Sequence, residues 1–190
     1  TNTVTVTSGG DVTQTAAADA ATIYVDAAGF DVTLDQQNTF GGGGGGISTV
    51  HVDGANVVVT EADAVTLGEI NATGSLTVTA GGDITDKAGS SVTVTGVASL
   101  TRTGEGSAIT LDNNTAADRH DCGGAISSAG KPGDVTIYDA NTLTIGGFTV
   151  NDTGANTVTL GAEDEIAING AITAYGVTLG TLIPATDIFW

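Results

Sequence analysis

The chain of 190 residues is poor in several things at once. It has one cysteine, two prolines, one tryptophan and no methionine, and aromatic residues make up only 4% of it. A single cysteine, Cys122, excludes an intramolecular disulfide framework. No apolar run approaches the roughly 20 residues that a membrane-crossing helix needs, so no transmembrane segment is expected. Basic residues number four (Lys87, Arg102, Arg119, Lys131) against 22 acidic ones, for a formal net charge of −18. That balance argues against nucleic acid and anionic membrane surfaces as partners. It favours solubility and mutual repulsion of monomers. No signal peptide is visible, so an exported protein of this sequence would be a mature form or a fragment.

What remains is Val, Ile, Leu, Ala and Thr with 29 glycines. Glycine without a strict Gly-X-Y period excludes collagen, and β-branched residues suit strands. Alternation of threonine with an aliphatic recurs at Val4/Val6, Leu76/Val78, Val92/Val94, Ile109/Leu111, Leu143/Ile145, Val158/Leu160 and Val177/Leu179. A period of two puts the aliphatics on one face and the threonines on the other. Gly, Asp or Asn follows each run and tolerates a tight turn.

The pattern also repeats at long range. TNTVTVTSGGD (Thr1–Asp11) returns as TGSLTVTAGGD (Thr73–Asp83), and VTEADAVTLG (Val59–Gly68) as IYDANTLTIG (Ile137–Gly146). Strong strands recur mostly every 16–21 residues, as from Val6 to Val25 and from Val59 to Val78. The 34 residues from Val25 to Val59 read as two such coils. Short strands at that spacing inside a longer repeat predict an all-β solenoid, a parallel β-helix of about nine or ten coils. One solenoid domain is expected over 1–181, with super-repeats at about 1–72 and 73–152, a partial one at 153–181, and a non-repeat aromatic tail at 182–190.

The motifs GGDVTQT (Gly9–Thr15), LTVTAGGDITD (Leu76–Asp86), ITLDNNT (Ile109–Thr115) and DANTLTIG (Asp139–Gly146) resemble the repeats of bacterial filamentous-haemagglutinin-like exoproteins. These are two-partner-secreted or autotransporter adhesins. The resemblance covers roughly Thr1 to Gly161. It implies a right-handed parallel β-helix, secreted and held at the bacterial cell surface, acting in adhesion, aggregation or biofilm. The chain is far shorter than those exoproteins, lacks their N-terminal secretion domain, and ends in LIPATDIFW, which is unlike the repeat.

Candidate sites are few. The run Gly41–Gly46 lacks the Lys-Ser/Thr of a phosphate loop and reads as a turn. Arg119-His120-Asp121-Cys122 groups a histidine, a carboxylate and a thiol, a set able to ligate zinc or form a nucleophilic pair. Adjacent residues converge poorly on one metal, however, and the stretch Asn114–Cys122 interrupts the repeat, so it is expected to be a solvated loop. Asp-rich turns offer calcium ligands, Asp83, Asp86 and Asp112 among them. The same residues favour turns for backbone reasons alone, and no cofactor is otherwise expected.

Threonine pairs such as Thr77/Thr79 and Thr157/Thr159 would make an ice-binding face if they stacked in register, but unequal coil lengths predict that they do not. A polysaccharide lyase would use basic residues beside metal-binding carboxylates, and four scattered basic residues argue against that class. Ile188, Phe189 and Trp190 form an apolar tip suited to docking on Thr1, Val4 and Val6 of another copy, a head-to-tail contact that grows filaments. The expected function is a non-enzymatic structural or adhesive element that self-associates. The alternative is an adhesin segment that binds a surface glycan or receptor.

Overall fold

The structure is a computed structural model that describes residues 2–39, 48–112, 119–130, 132–150 and 155–181. In chain order the strands are β1 (Thr3–Thr7), β2 (Val12–Thr13), β3 (Thr22–Asp26), β4 (Val32–Asn38), β5 (Ser48–Gly54), β6 (Val57–Glu61), β7 (Val65–Ala72), β8 (Leu76–Ala80), β9 (Ile84–Asp86) and β10 (Val92–Val94). They continue as β11 (Ala98–Arg102), β12 (Ile109–Leu111), β13 (Asp121–Cys122), β14 (Ile126–Gly130), β15 (Val135–Asp139), β16 (Leu143–Thr149), β17 (Thr157–Ala162), β18 (Ile166–Ile168), β19 (Ile172–Thr173) and β20 (Gly176–Thr181). Every pairing among them is parallel, and each joins a strand to one from a neighbouring turn.

Two sheets result. The first runs β1-β3-β5-β7-β9-β12-β15-β17-β20, with β10 and β13 as a short branch beside β7. The second runs β2-β4-β6-β8-β11-β14-β16-β18, with β19 beside β16. Strands that are adjacent in sequence mostly alternate between the sheets, so the chain winds as an all-β parallel solenoid of about seven turns.

The expected nine or ten coils overcount. Register partners lie between 17 residues apart (Val50 to Leu67) and 28 apart (Ala98 to Ile126), so a turn is longer than the strand spacing suggested. Val25 pairs with Val52, and the interval read as two coils contains one turn and a change of sheet. The long-range repeat also does not stack copy on copy. Val4 and Val6 belong to the first sheet, and their look-alikes Leu76 and Val78 to the second.

Period-two alternation builds the core. Val65, Ile84, Ile109, Val135 and Val158 stack in one inward column, all fully buried. Val57 and Leu76, then Val59, Val78 and Leu100, do the same from the second sheet. Both sets join one hydrophobic cluster between the sheets. Complete burial of each such aliphatic contributes about 1.5–3 kcal/mol. The inward face of the first sheet opens at both ends of the described ladder. Val4 on β1 is 37% exposed, and Val177 and Leu179 on β20 are 47% and 50% exposed.

Candidate binding face

The outward side of the first sheet carries a threonine at the same register position on every rung of its main path. Thr3, Thr22, Thr49, Thr66, Thr85, Thr110, Thr136, Thr159 and Thr178 pair in sequence from β1 to β20. The expectation that unequal turns would break threonine register is wrong for this column. The turns absorb the length differences, and the strands keep step because a one-residue slip would expose the whole inward column. The column stays single and Thr-X-Thr pairs do not stack along it, because the position two residues on holds Thr5, Tyr24, His51 and, further along, Tyr138 and Gly161.

At the first four rungs two outward columns enclose a groove of about 300 Å³. One wall is Thr5, Tyr24, His51 and Glu69; the other is Thr7, Asp26, Asp53 and Asn71. Val6, Val25 and Val52 lie between the walls and form the floor. The second wall continues in register beyond the groove through Thr93 to Asp121.

The Tyr24 and His51 rings stack with centroids 4.4 Å apart and planes 14° apart. A bulge fixes the histidine. Val50 faces Leu67 while Val52 faces Ile70, so His51 stands opposite two residues, Gly68 and Glu69. The Glu69 N–H donates to His51 Nδ1 at 2.9 Å, which leaves the ring proton on Nε2. Gly68 lies under the ring. A Cβ there would sit 2.3 Å from His51 Cε1, so only glycine leaves room for the imidazole. Gly161 gives Tyr138 the same room on a later rung. Burial, then the charge of Lys87, depresses the His51 pKa against the opposing pull of Glu69, so the ring is neutral at neutral pH.

The groove is acidic, and none of its lining residues is Lys or Arg. Asp26 and Asp53 face each other on adjacent rungs, a like-charge pairing that costs stability in a sheet. Asn71 Nδ2 donates to Asp53 at 3.3 Å, while Asp26 has no side-chain partner among the described residues. The Glu69 carboxylate accepts from the Ser91 hydroxyl at 2.8 Å and the Ser91 N–H at 3.2 Å.

The stretch Arg119–Cys122 is no solvated loop. Its side chains alternate as in a strand, with Arg119 out, His120 in, Asp121 half out and Cys122 in. Arg119 reaches Glu163 at 2.6 Å on the surface. His120 Nδ1 accepts from the Val92 N–H at 3.1 Å, and its Nε2 lies 3.4 Å from Asp86 Oδ2 in the interior. Burial pushes the Asp86 pKa up, but the facing His120 and the Asp112 N–H outweigh it and hold the carboxyl below its ordinary range. Asp139 accepts from the Cys122 N–H at 2.9 Å and the Asn141 N–H at 2.8 Å, yet burial raises its pKa overall. Burial first, and then Asp139 and Asp121, push the Cys122 thiol well above its usual range. The thiol is therefore protonated and unreactive as a nucleophile.

The three calcium candidates do not converge. Asp83 accepts from the Ala108 N–H at 2.8 Å and stands 3.8 Å from Arg102, while Asp86 points inward to His120. Asp112 meets Asp86 through its own N–H. No group of three His, Cys, Asp or Glu side chains among the described residues is placed to hold a metal ion. Of the proposed docking residues, Val4 and Val6 are described, on β1. Thr1, Ile188, Phe189 and Trp190 lie outside the described residues, as do Gly41–Gly46.

The groove was not legible in the sequence. Tyr24 and His51 are 27 residues apart, and only the register of β3 on β5 brings them together. The available signal was the pair of strands TIYVD and TVHVD, each carrying Thr, an aromatic ring and Asp at alternate positions.

No curated protein and no solved structure matches the chain. Residues 1–43 and 54–129, more than half of its length and including every residue that lines the groove except His51, Val52 and Asp53, match the family model of repeats of unknown function (DUF5649), and the chain belongs to that family.

Proposed function

We propose that the chain is a secreted, non-enzymatic structural and adhesive solenoid of the bacterial cell surface, extended by stacking end to end. The observation that carries this reading is the partly uncovered rung at each end of the described ladder of the first sheet. Inward residues of β1 and β20 are left partly uncovered, and both rungs hold the column threonine, Thr3 and Thr178, in the same register. A further rung added there would bury those aliphatics and pair the strand edges that have one neighbour among the described residues. A head-to-tail contact of this kind does not close, so it propagates. The coil is right-handed in this reading, as the resemblance of its repeats implies. The kinship to filamentous-haemagglutinin-like exoproteins suggested by the repeats belongs to the same reading.

Negative-stain electron microscopy with sedimentation of the purified chain tests assembly. Elongated particles that lengthen with concentration are expected, and Val4→Lys, which charges the open edge, should return them to single units. Discrete particles of one size at all concentrations would defeat end-to-end stacking.

A second reading, adhesion to a surface glycan or receptor through the first sheet, is favoured by the groove. A concave strip with an aromatic pair on one wall and carboxylates on the other is a recognition surface rather than a packing one.

A further inference from the structure

We infer that the groove over β1, β3, β5 and β7 binds a basic protein segment, seating an arginine or lysine side chain between the Tyr24–His51 stack and the Asp26–Asp53 pair. The inference rests on the adhesive reading and names the chemistry of its partner. The groove crosses four rungs, a length of about 14 Å at the usual strand spacing, enough for several residues of an extended peptide.

Charge complementarity selects the occupant. Asp26 and Asp53 repel each other across adjacent rungs, and Asp26 has no side-chain partner among the described residues. A guanidinium or ammonium between them removes that repulsion and forms charge-assisted hydrogen bonds. Tyr24, 42% exposed, offers ring surface on the opposite wall for cation–π contact. His51 is held neutral and adds no competing positive charge. An anionic ligand would meet Asp26, Asp53 and Glu69 with no cation among the lining residues.

The test is calorimetric titration of the whole chain with a capped hexa-arginine peptide, and separately with neutral maltohexaose. The wild type should bind the peptide, with affinity that falls as salt rises. Asp26→Asn with Asp53→Asn should weaken binding by about tenfold or more, since both partners of the cation are lost. Tyr24→Ala should weaken it by roughly two- to fivefold. A control variant, Asp63→Asn with Glu105→Gln, removes the same charge from exposed positions outside the groove and should leave affinity within about twofold. Circular dichroism of each variant checks that the fold is retained.

Equal weakening by the control would mean diffuse attraction to an acidic protein and would overturn the site. Binding of maltohexaose without the peptide would overturn the basic partner while leaving the adhesive reading standing. Binding of neither would overturn the groove as an adhesive surface.

Discussion

At the scale of single residues, the first sheet depends on a few positions where side-chain size is fixed by the rung beside them. Gly68 is one. Gly68→Ala would drive a methyl group into His51, and overpacking of this kind costs about 1–3 kcal/mol. In His51→Ala, where the ring is gone, the same change should cost much less, so urea unfolding of the double-mutant cycle should show strong coupling. The interior carboxylates make a second prediction, with opposite signs. Asp86 has a lowered pKa, so the stability it contributes is complete above the unfolded value of about 3.8 and is lost as pH falls below it. Asp139 has a raised pKa, so its ionisation costs stability at neutral pH, and that penalty is relieved as pH falls through its folded value towards its unfolded one. Denaturation across pH 2–7 should therefore show Asp86→Asn flattening the loss of stability at the acid end. Asp139→Ala should instead lower stability by about 1–3 kcal/mol, because two backbone N–H groups lose their acceptor. An unchanged acid limb in Asp86→Asn would refute the pairing with His120.

At the scale of elements, the strands tolerate unequal connections because register is set by what they bury. The position of Leu100 on β11, fully buried between Val78 and Ser128, illustrates this. Leu100→Ala should cost about 2–5 kcal/mol, whereas Thr101→Ala on the outward side of the same strand should stay within about 0.5 kcal/mol; thermal melts followed by circular dichroism distinguish the two. The strands themselves were legible in the sequence, since alternation at Leu76/Val78 or Val158/Leu160 marks them directly. Their partners were not. Val59 and Val78 do stack, but Val78 and Val94 belong to different lines of the solenoid, and sequence spacing alone does not say which face a strand joins. The polar insertion misled for a related reason. His120 and Cys122 alternate inward as aliphatics do, but their composition hides the period, and burial is made possible only by Asp86 and Asp139 arriving from other turns.

At the scale of the whole molecule, each rung touches chiefly its two neighbours, so stability is close to a sum over rungs and interfaces. Hydrogen exchange should then be slowest in the central rungs β7, β9 and β12 and fastest at β1 and β20, each of which pairs with one rung of its sheet among the described residues. Uniform protection along the ladder would contradict that picture. The same arithmetic gives the first and last described rungs their significance, because Val4, Val177 and Leu179 still expose apolar surface there. The most direct test of the account is negative-stain microscopy of the wild type beside Val4→Lys at matched concentrations. The account predicts rods that lengthen with concentration for the wild type and units of a single length, about 34 Å along the axis for about seven turns at strand spacing, for the variant. Wild-type particles that remain single units at every concentration would contradict it.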